Sequence, residues 1–275
     1  MKHAITCRHA YPRAQQTGYS LVELSVALAV ALFLLAGLFS VLQNTRKTST
    51  SQSQLAALQD NERMALTMIT GVVEAGGYYP RPDTNTISDQ LPAGGVFNQT
   101  GQIVYGTANP TATLGDTLTV RYNAGANEDV IDCKGTTNAA STAAASYVNQ
   151  FLVMQDSPKT APYLACTTDG VNYAKLVNNV AKMEVSYGIN SAATIANTTG
   201  AAVDSYVATA DMPAAVALNP VVWTNVYSVK VKLSFVNPLY AQPGQPAAPG
   251  QPATIPFTKV IGIMSRVGVD VVSFK

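Results

Sequence analysis

The stretch QQTGYSLVELSVALAVALFLLAGLFSVLQ, residues 15–43, is almost wholly apolar yet keeps one carboxylate, Glu23, near its front edge. From Leu24 through Leu42 run 19 residues without a charge or a proline. As a helix they would extend about 28 Å, close to the ~30 Å hydrocarbon core of a bilayer. A single transmembrane segment over about residues 22–42 is the direct reading. A secretory signal peptide is the competitor, but its apolar region is shorter, about 7–15 residues, and ends in a small-residue cleavage site. Here the run exits into QNTRKTSTSQ.

Ahead of the run, MKHAITCRHAYPRAQQTG carries Lys2, Arg8 and Arg13 and no acid, which favours keeping this end in the cytoplasm. Arg46 and Lys47 on the far flank weaken the asymmetry without reversing it. The remainder of the chain would then lie on the outer side. A carboxylate at the centre of a bilayer helix costs about 2.5–3.5 kcal/mol, and less near the interface. Position alone would therefore let Glu23 survive by reaching toward the headgroups.

Composition removes several function classes. The chain of 275 residues is 47% hydrophobic and 12% charged with a formal charge of +1, which suits a globular domain plus one membrane segment. It carries no basic footprint for nucleic acid. Both histidines, His3 and His9, precede the apolar run, so everything after Gly18 lacks the commonest general base and zinc ligand. No G-x-S-x-G box is present, and no enzyme, cofactor or metal is expected. NEDVID gathers Glu128, Asp129 and Asp132 but lacks the spacing of a calcium loop, and reads as a solvated turn.

The combination of basic leader, glycine, aromatic residue, SLVEL and unbroken apolar helix resembles the type IV prepilin processing site, here Gly18-Tyr19-Ser20-Leu21-Val22-Glu23. The resemblance implies that a prepilin peptidase cuts between Gly18 and Tyr19 and that Tyr19 becomes the N-methylated terminus. It also implies that Glu23 is an assembly carboxylate facing the new α-amino group of a neighbouring subunit. Phe is usual where Tyr19 stands. Loss of the leader, 1–18, would leave 257 residues with fourteen basic and sixteen acidic side chains, a formal charge of −2.

Downstream, no proline occurs between Pro12 and Pro80, and Gly37 is the only glycine between Gly18 and Gly71. A continuous helix over 19–75, about 85 Å long, is expected. Leu55, Leu58, Glu62, Leu66, Ile69 and Val73, broadened by Ala65 and Val72, mark an amphipathic second half that packs on a head. Residues 43–54 are weaker helix formers, rich in Ser, Thr and Gln. Gly76, Gly77 and Pro80 supply the stop.

The head, 76–275, changes to short β-type runs: DTLTVRY (116–122), KMEVSYGI (182–189), VYSVKVKLSFV (226–236) and FTKVIGIMSRV (257–267). Turn-like linkers without crossover helices favour antiparallel order. The fold class expected is α+β and pilin-like, a long N-terminal helix packed on an antiparallel sheet. KGTTNAASTAAASYVNQ (134–150) and the Pro-rich NPLYAQPGQPAAPGQPATIP (237–256) read as loops, the second an exposed hairpin loop or a polyproline ligand. In an extracytoplasmic head Cys133 and Cys166 would bond, the alternative being two buried free thiols.

With LQDNERMAL…VVEAGGY, Asp132-Cys133 and LVNNVAKMEVSYGI added, the chain resembles the PilW family of minor pilins. That resemblance implies a Gram-negative inner-membrane protein with a periplasmic head that helps prime pilus assembly. Its partners would be other minor and major pilins, the prepilin peptidase, the inner-membrane assembly machinery and the lipid bilayer. Two other readings share the stem: a type II secretion pseudopilin, and an adhesin head carried on a pilin helix.

Overall fold

The computed structural model describes residues 18–108, 113–158, 160–191, 202–240 and 250–266. Most of the leader (1–17), the middle of the Pro-rich stretch (241–249) and Val267 lie outside the described residues. The chain forms two compact units, Met1–Gln52 and Ser53–Lys275, and one helix, α1 (Leu21–Glu74), contributes to both.

In the first unit every described residue from 18 to 50 is exposed, including Leu24, Leu28, Phe33, Leu38 and Phe39. This half of α1 is long and apolar enough to cross a membrane. The helix persists through the Ser/Thr-rich segment, where Thr45, Thr48 and Thr50 each donate a hydroxyl to the carbonyl four residues back, on Val41, Asn44 and Arg46.

In the second unit the same helix changes character. Leu58, Ala65, Leu66, Ile69, Val72 and Val73 are buried, at the three- and four-residue spacing that places side chains on one face. The helix ends at Glu74, and the stop is built by glycine. Gly77 adopts φ +75° and donates its N–H to the carbonyl of Arg121, a backbone state that a Cβ would strain. A Cβ on Gly76 would lie 2.8 Å from the Val73 carbonyl oxygen.

The head follows with a short helix, α2 (Ile87–Gln90), and strands β1 (Val104–Tyr105), β2 (Leu118–Ala124), β3 (Ala145–Met154), β4 (Tyr163–Thr167) and β5 (Ala174–Asn178). These five form one antiparallel sheet in sequence order. Strands β6 (Val180–Ile189) and β7 (Ser205–Ala208), helix α3 (Met212–Leu218), and strands β8 (Val226–Val236) and β9 (Thr254–Gly262) complete the described chain. Their sheet is also antiparallel, ordered β7-β6-β8-β9. The fold is α+β, as expected, but the strands divide between two sheets. One core holds both together: Leu66 and Ile69 of α1, Val120 and Leu164 of the first sheet, and Val185 and Val231 of the second belong to the same buried cluster. The segment before β2 also stitches the sheets, since Asp116 N–H donates to the Met183 carbonyl and Val185 N–H to the Asp116 carboxylate.

Two loop expectations are corrected. The last six residues of 134–150 form the start of β3, because Tyr147, Asn149 and Phe151 alternate with Ser146, Val148 and Gln150 and pair along β2 despite the alanines. Thr254, Ile255 and Pro256, the end of the Pro-rich stretch, belong to β9. Proline is accepted there because, among the described residues, β9 is an edge strand bonded only to β8. At its other end β9 stops at Gly262, so the strand candidate at 257–267 is cut short by a turn at 264–266.

Candidate functional site

At the amino-terminal end Gly18, Tyr19 and Ser20 precede the first turn of α1. Space around Gly18 is open, with nothing within 4 Å of where a Cβ would stand. Tyr19 is 84% exposed. The Ser20 carbonyl accepts from Leu24 N–H, so Ser20 stands at the helix entrance. Glu23 lies in the first turn, exposed, where the unsatisfied N–H groups and the positive end of the helix dipole favour a carboxylate. Ser25 Oγ donates to the Val22 carbonyl, 2.8 Å away, which hides that hydroxyl from an apolar surrounding. The three expected site residues are thus neighbours, all accessible.

The head's chemistry centres on the loop before β3. Cys133 and Cys166 are joined, tying that loop to β4. Asp132, read from sequence as part of a solvated turn, is instead buried at 5% exposure. Its carboxylate accepts from the N–H groups of Lys134 and Thr136 at 2.8 and 2.9 Å and from the Thr136 hydroxyl. Asn149 Oδ1 on β3 accepts from Cys133 N–H at 2.8 Å. Two backbone N–H groups and one hydroxyl satisfy this acid; no group of three or more His, Cys, Asp or Glu suited to a metal occurs among the described residues.

Two clefts flank this region. The larger, about 960 Å³, runs beside the second half of α1 at Met68 and Gly71 and is closed by Ile131, Leu176 and Met264. Ile131 and Met264 are exposed. The second, about 760 Å³, lies on the other face of the five-stranded sheet beneath residues 92–97. Arg121 anchors its wall. Its Nε donates to the Gln102 carbonyl and Nη1 to that of Pro92, both at 2.6 Å, while Nη2 reaches Leu91 and Gln99 at 3.1 and 3.3 Å. The guanidinium also sits 4.2 Å above the Phe97 ring. Burial lowers its pKa from the ordinary 12.5 to about 10, so it stays charged at neutral pH. Sequence reading singled out none of these residues, because their only signal is alternation within DTLTVRY.

Among known proteins, residues 136–257 match the family model described as Type IV Pilus-assembly protein W, PilW. That stretch runs from the disulfide loop into β9 and takes in most of both sheets. No curated protein and no solved structure matches the chain. PilW is a pilus-assembly family, and its members act with pilus components. Over residues 136–257, rather less than half of its length, the chain is similar to the PilW family of type IV pilus-assembly proteins.

Proposed function

We propose that the protein is a minor pilin that takes part in priming the type IV pilus, with no catalytic role of its own. The PilW match carries this reading, and the exposed apolar half of α1 supports it. In this reading the prepilin peptidase cuts between Gly18 and Tyr19, Tyr19 is N-methylated, and residues 22–42 hold the chain in the inner membrane with the head in the periplasm. There the Cys133–Cys166 bond forms in an oxidising compartment. Glu23 is tolerated in the apolar segment because it meets the α-amino group of an adjacent subunit and so fixes register between helices, as buried polar groups do in other helix assemblies. The openness around Gly18 and Tyr19 suits a protease and a methyltransferase that must reach the backbone there.

The test is the intact mass and N-terminal sequence of the protein recovered from membranes of cells with an intact prepilin peptidase. N-methyl-Tyr19 at the start, with a mass two hydrogens light, is expected. A chain beginning at Met1, or cut beyond the apolar run, overturns the processing assignment. Deleting the subunit should reduce surface pili while leaving secreted exoproteins unchanged; the reverse pattern would move the protein to a secretion system.

A further inference from the structure

The cleft on the outer face of the five-stranded sheet has no part in the assembly reading. Its floor is made of cross-strand pairs on β2 and β3: Thr119 opposite Gln150, Arg121 opposite Val148, and Asn123 opposite Ser146. Both end pairs are hydroxyl plus amide. The middle pair offers Val148, and the loop above adds Val96, which is 44% exposed. The result is a polar floor, its one cation tied down by backbone carbonyls, crossed by an apolar strip.

Its hydrogen-bonding capacity is only partly used. Gln150 Nε2 reaches Thr119 Oγ1 at 3.5 Å, the outer limit of a bond. Asn123 donates through Nδ2 to the Gln90 carbonyl, while its buried Oδ1 has no partner. Side chains of this kind both donate and accept.

Charge and backbone narrow the ligand. Arg121 is the only cation among the residues lining the cleft, and its donors already face four carbonyls. Asp89 and Asp169 offset that charge, and Lys134 is held 3.9 Å from Asp169, so the lining has no spare cation with which to hold a phosphate or sulfate group. Hydrogen bonds to Asn172 and to neighbouring N–H groups hold the Asp169 carboxyl well below the usual carboxylate range, so it is ionised at neutral pH. The floor strands are interior to the sheet, with β2 between β1 and β3 and β3 between β2 and β4. They have no free edge on which an extended peptide could pair. Recognition therefore falls to side chains that match hydroxyl groups, and to a valine strip that matches C–H faces.

We propose that this cleft binds a neutral saccharide, with Thr119, Asn123, Ser146 and Gln150 as hydrogen-bonding residues and Val96 and Val148 as the apolar contact. The full chain in detergent is applied to immobilised neutral oligosaccharides of glucose, galactose, mannose and N-acetylhexosamines, with sulfated glycans, an acidic and a basic peptide, and duplex DNA alongside. Calorimetry then measures the best neutral binder against the wild type, Thr119→Val/Gln150→Leu and the rim variant Val96→Asp. Binding to at least one neutral glycan is expected, weakened about tenfold or more by each variant. Near-UV circular dichroism and pilus number should stay at wild-type levels in both. Binding only to anionic ligands or peptides, no binding at all, or neutral-glycan binding that the variants leave intact overturns the proposal. Loss of pili in a correctly folded variant also overturns it, by assigning this face to assembly. The minor-pilin reading is scored separately, by the N-terminal sequence.

Discussion

The two halves of α1 bury their apolar residues in opposite ways. From Leu21 to Leu42 none of the large apolar side chains is covered within the chain, whereas from Leu58 to Val73 a single stripe sits in the core of the head. The first half is apolar all round, as a segment is when lipid or other helices are its surroundings, and the second is apolar on one side only. Outside partners therefore govern substitutions in the first half, and the head governs those in the second.

The largest effect that would sharpen this contrast is expected at Ile69, which is fully buried. Ile69→Asp should destabilise the head by more than about 4 kcal/mol, through a buried unpaired charge, and leave no cooperative denaturation of the full chain. A comparable charge at exposed Val30 should leave head denaturation unchanged. If both unfold the head, the division fails. Next, Cys133→Ser/Cys166→Ser removes a cross-link closing a loop of 34 residues counted inclusively, worth about 3.8 kcal/mol in the chain-entropy model. A urea midpoint that does not move would rule that out.

Arg121→Met should cost about 3 kcal/mol, because four carbonyls lose a charged donor. Hydrogen exchange should show it first in residues 91–102, and a uniform change across the head would contradict the local anchoring. Glu23→Ala is expected to leave head stability, insertion and processing untouched while lowering incorporation into pili about tenfold, equivalent to about 1.4 kcal/mol. Quantitative blotting of sheared pili reads this directly, and unchanged incorporation removes the assembly role.

The smallest effect lies at Glu184. Hydrogen bonds from Lys232 and then Lys182 lower its pKa. A carboxylate so lowered stabilises the fold above its unfolded value of about 4.3, and that stability is lost as the pH falls through the folded value. The group is 39% exposed, so Glu184→Gln should cost less than about 1 kcal/mol at pH 7. The difference from wild type should vanish under more acid conditions. A difference that grows on acidification would reverse the assignment.

How much of this was legible follows the same contrast. The apolar run, the stripe from Leu58 to Val73 and the Gly76-Gly77 stop are local patterns, so sequence displays them directly. The strand at 226–236 was equally plain, since β-branched residues alternate along it. The start of β3 was hidden because alanine and serine carry little strand preference and only pairing with β2 decides their state. Burial of Asp132 was hidden for a related reason: the donors that satisfy it come from a turn it organises itself. The saccharide cleft has no local signal beyond the alternation within DTLTVRY, because its residues meet only when β2 and β3 are in register.

The threonines following the apolar run carry a further consequence for α1. Each of Thr45, Thr48 and Thr50 spends its hydroxyl proton on its own helix, so its donor makes no demand on water. Such a collar can be dehydrated without leaving a donor stranded, as happens when Ser and Thr enter a membrane. The three threonines therefore set no waterline of their own on the helix; within residues 45–50 that role falls to Arg46 and Lys47, whose charges are costly to take out of water.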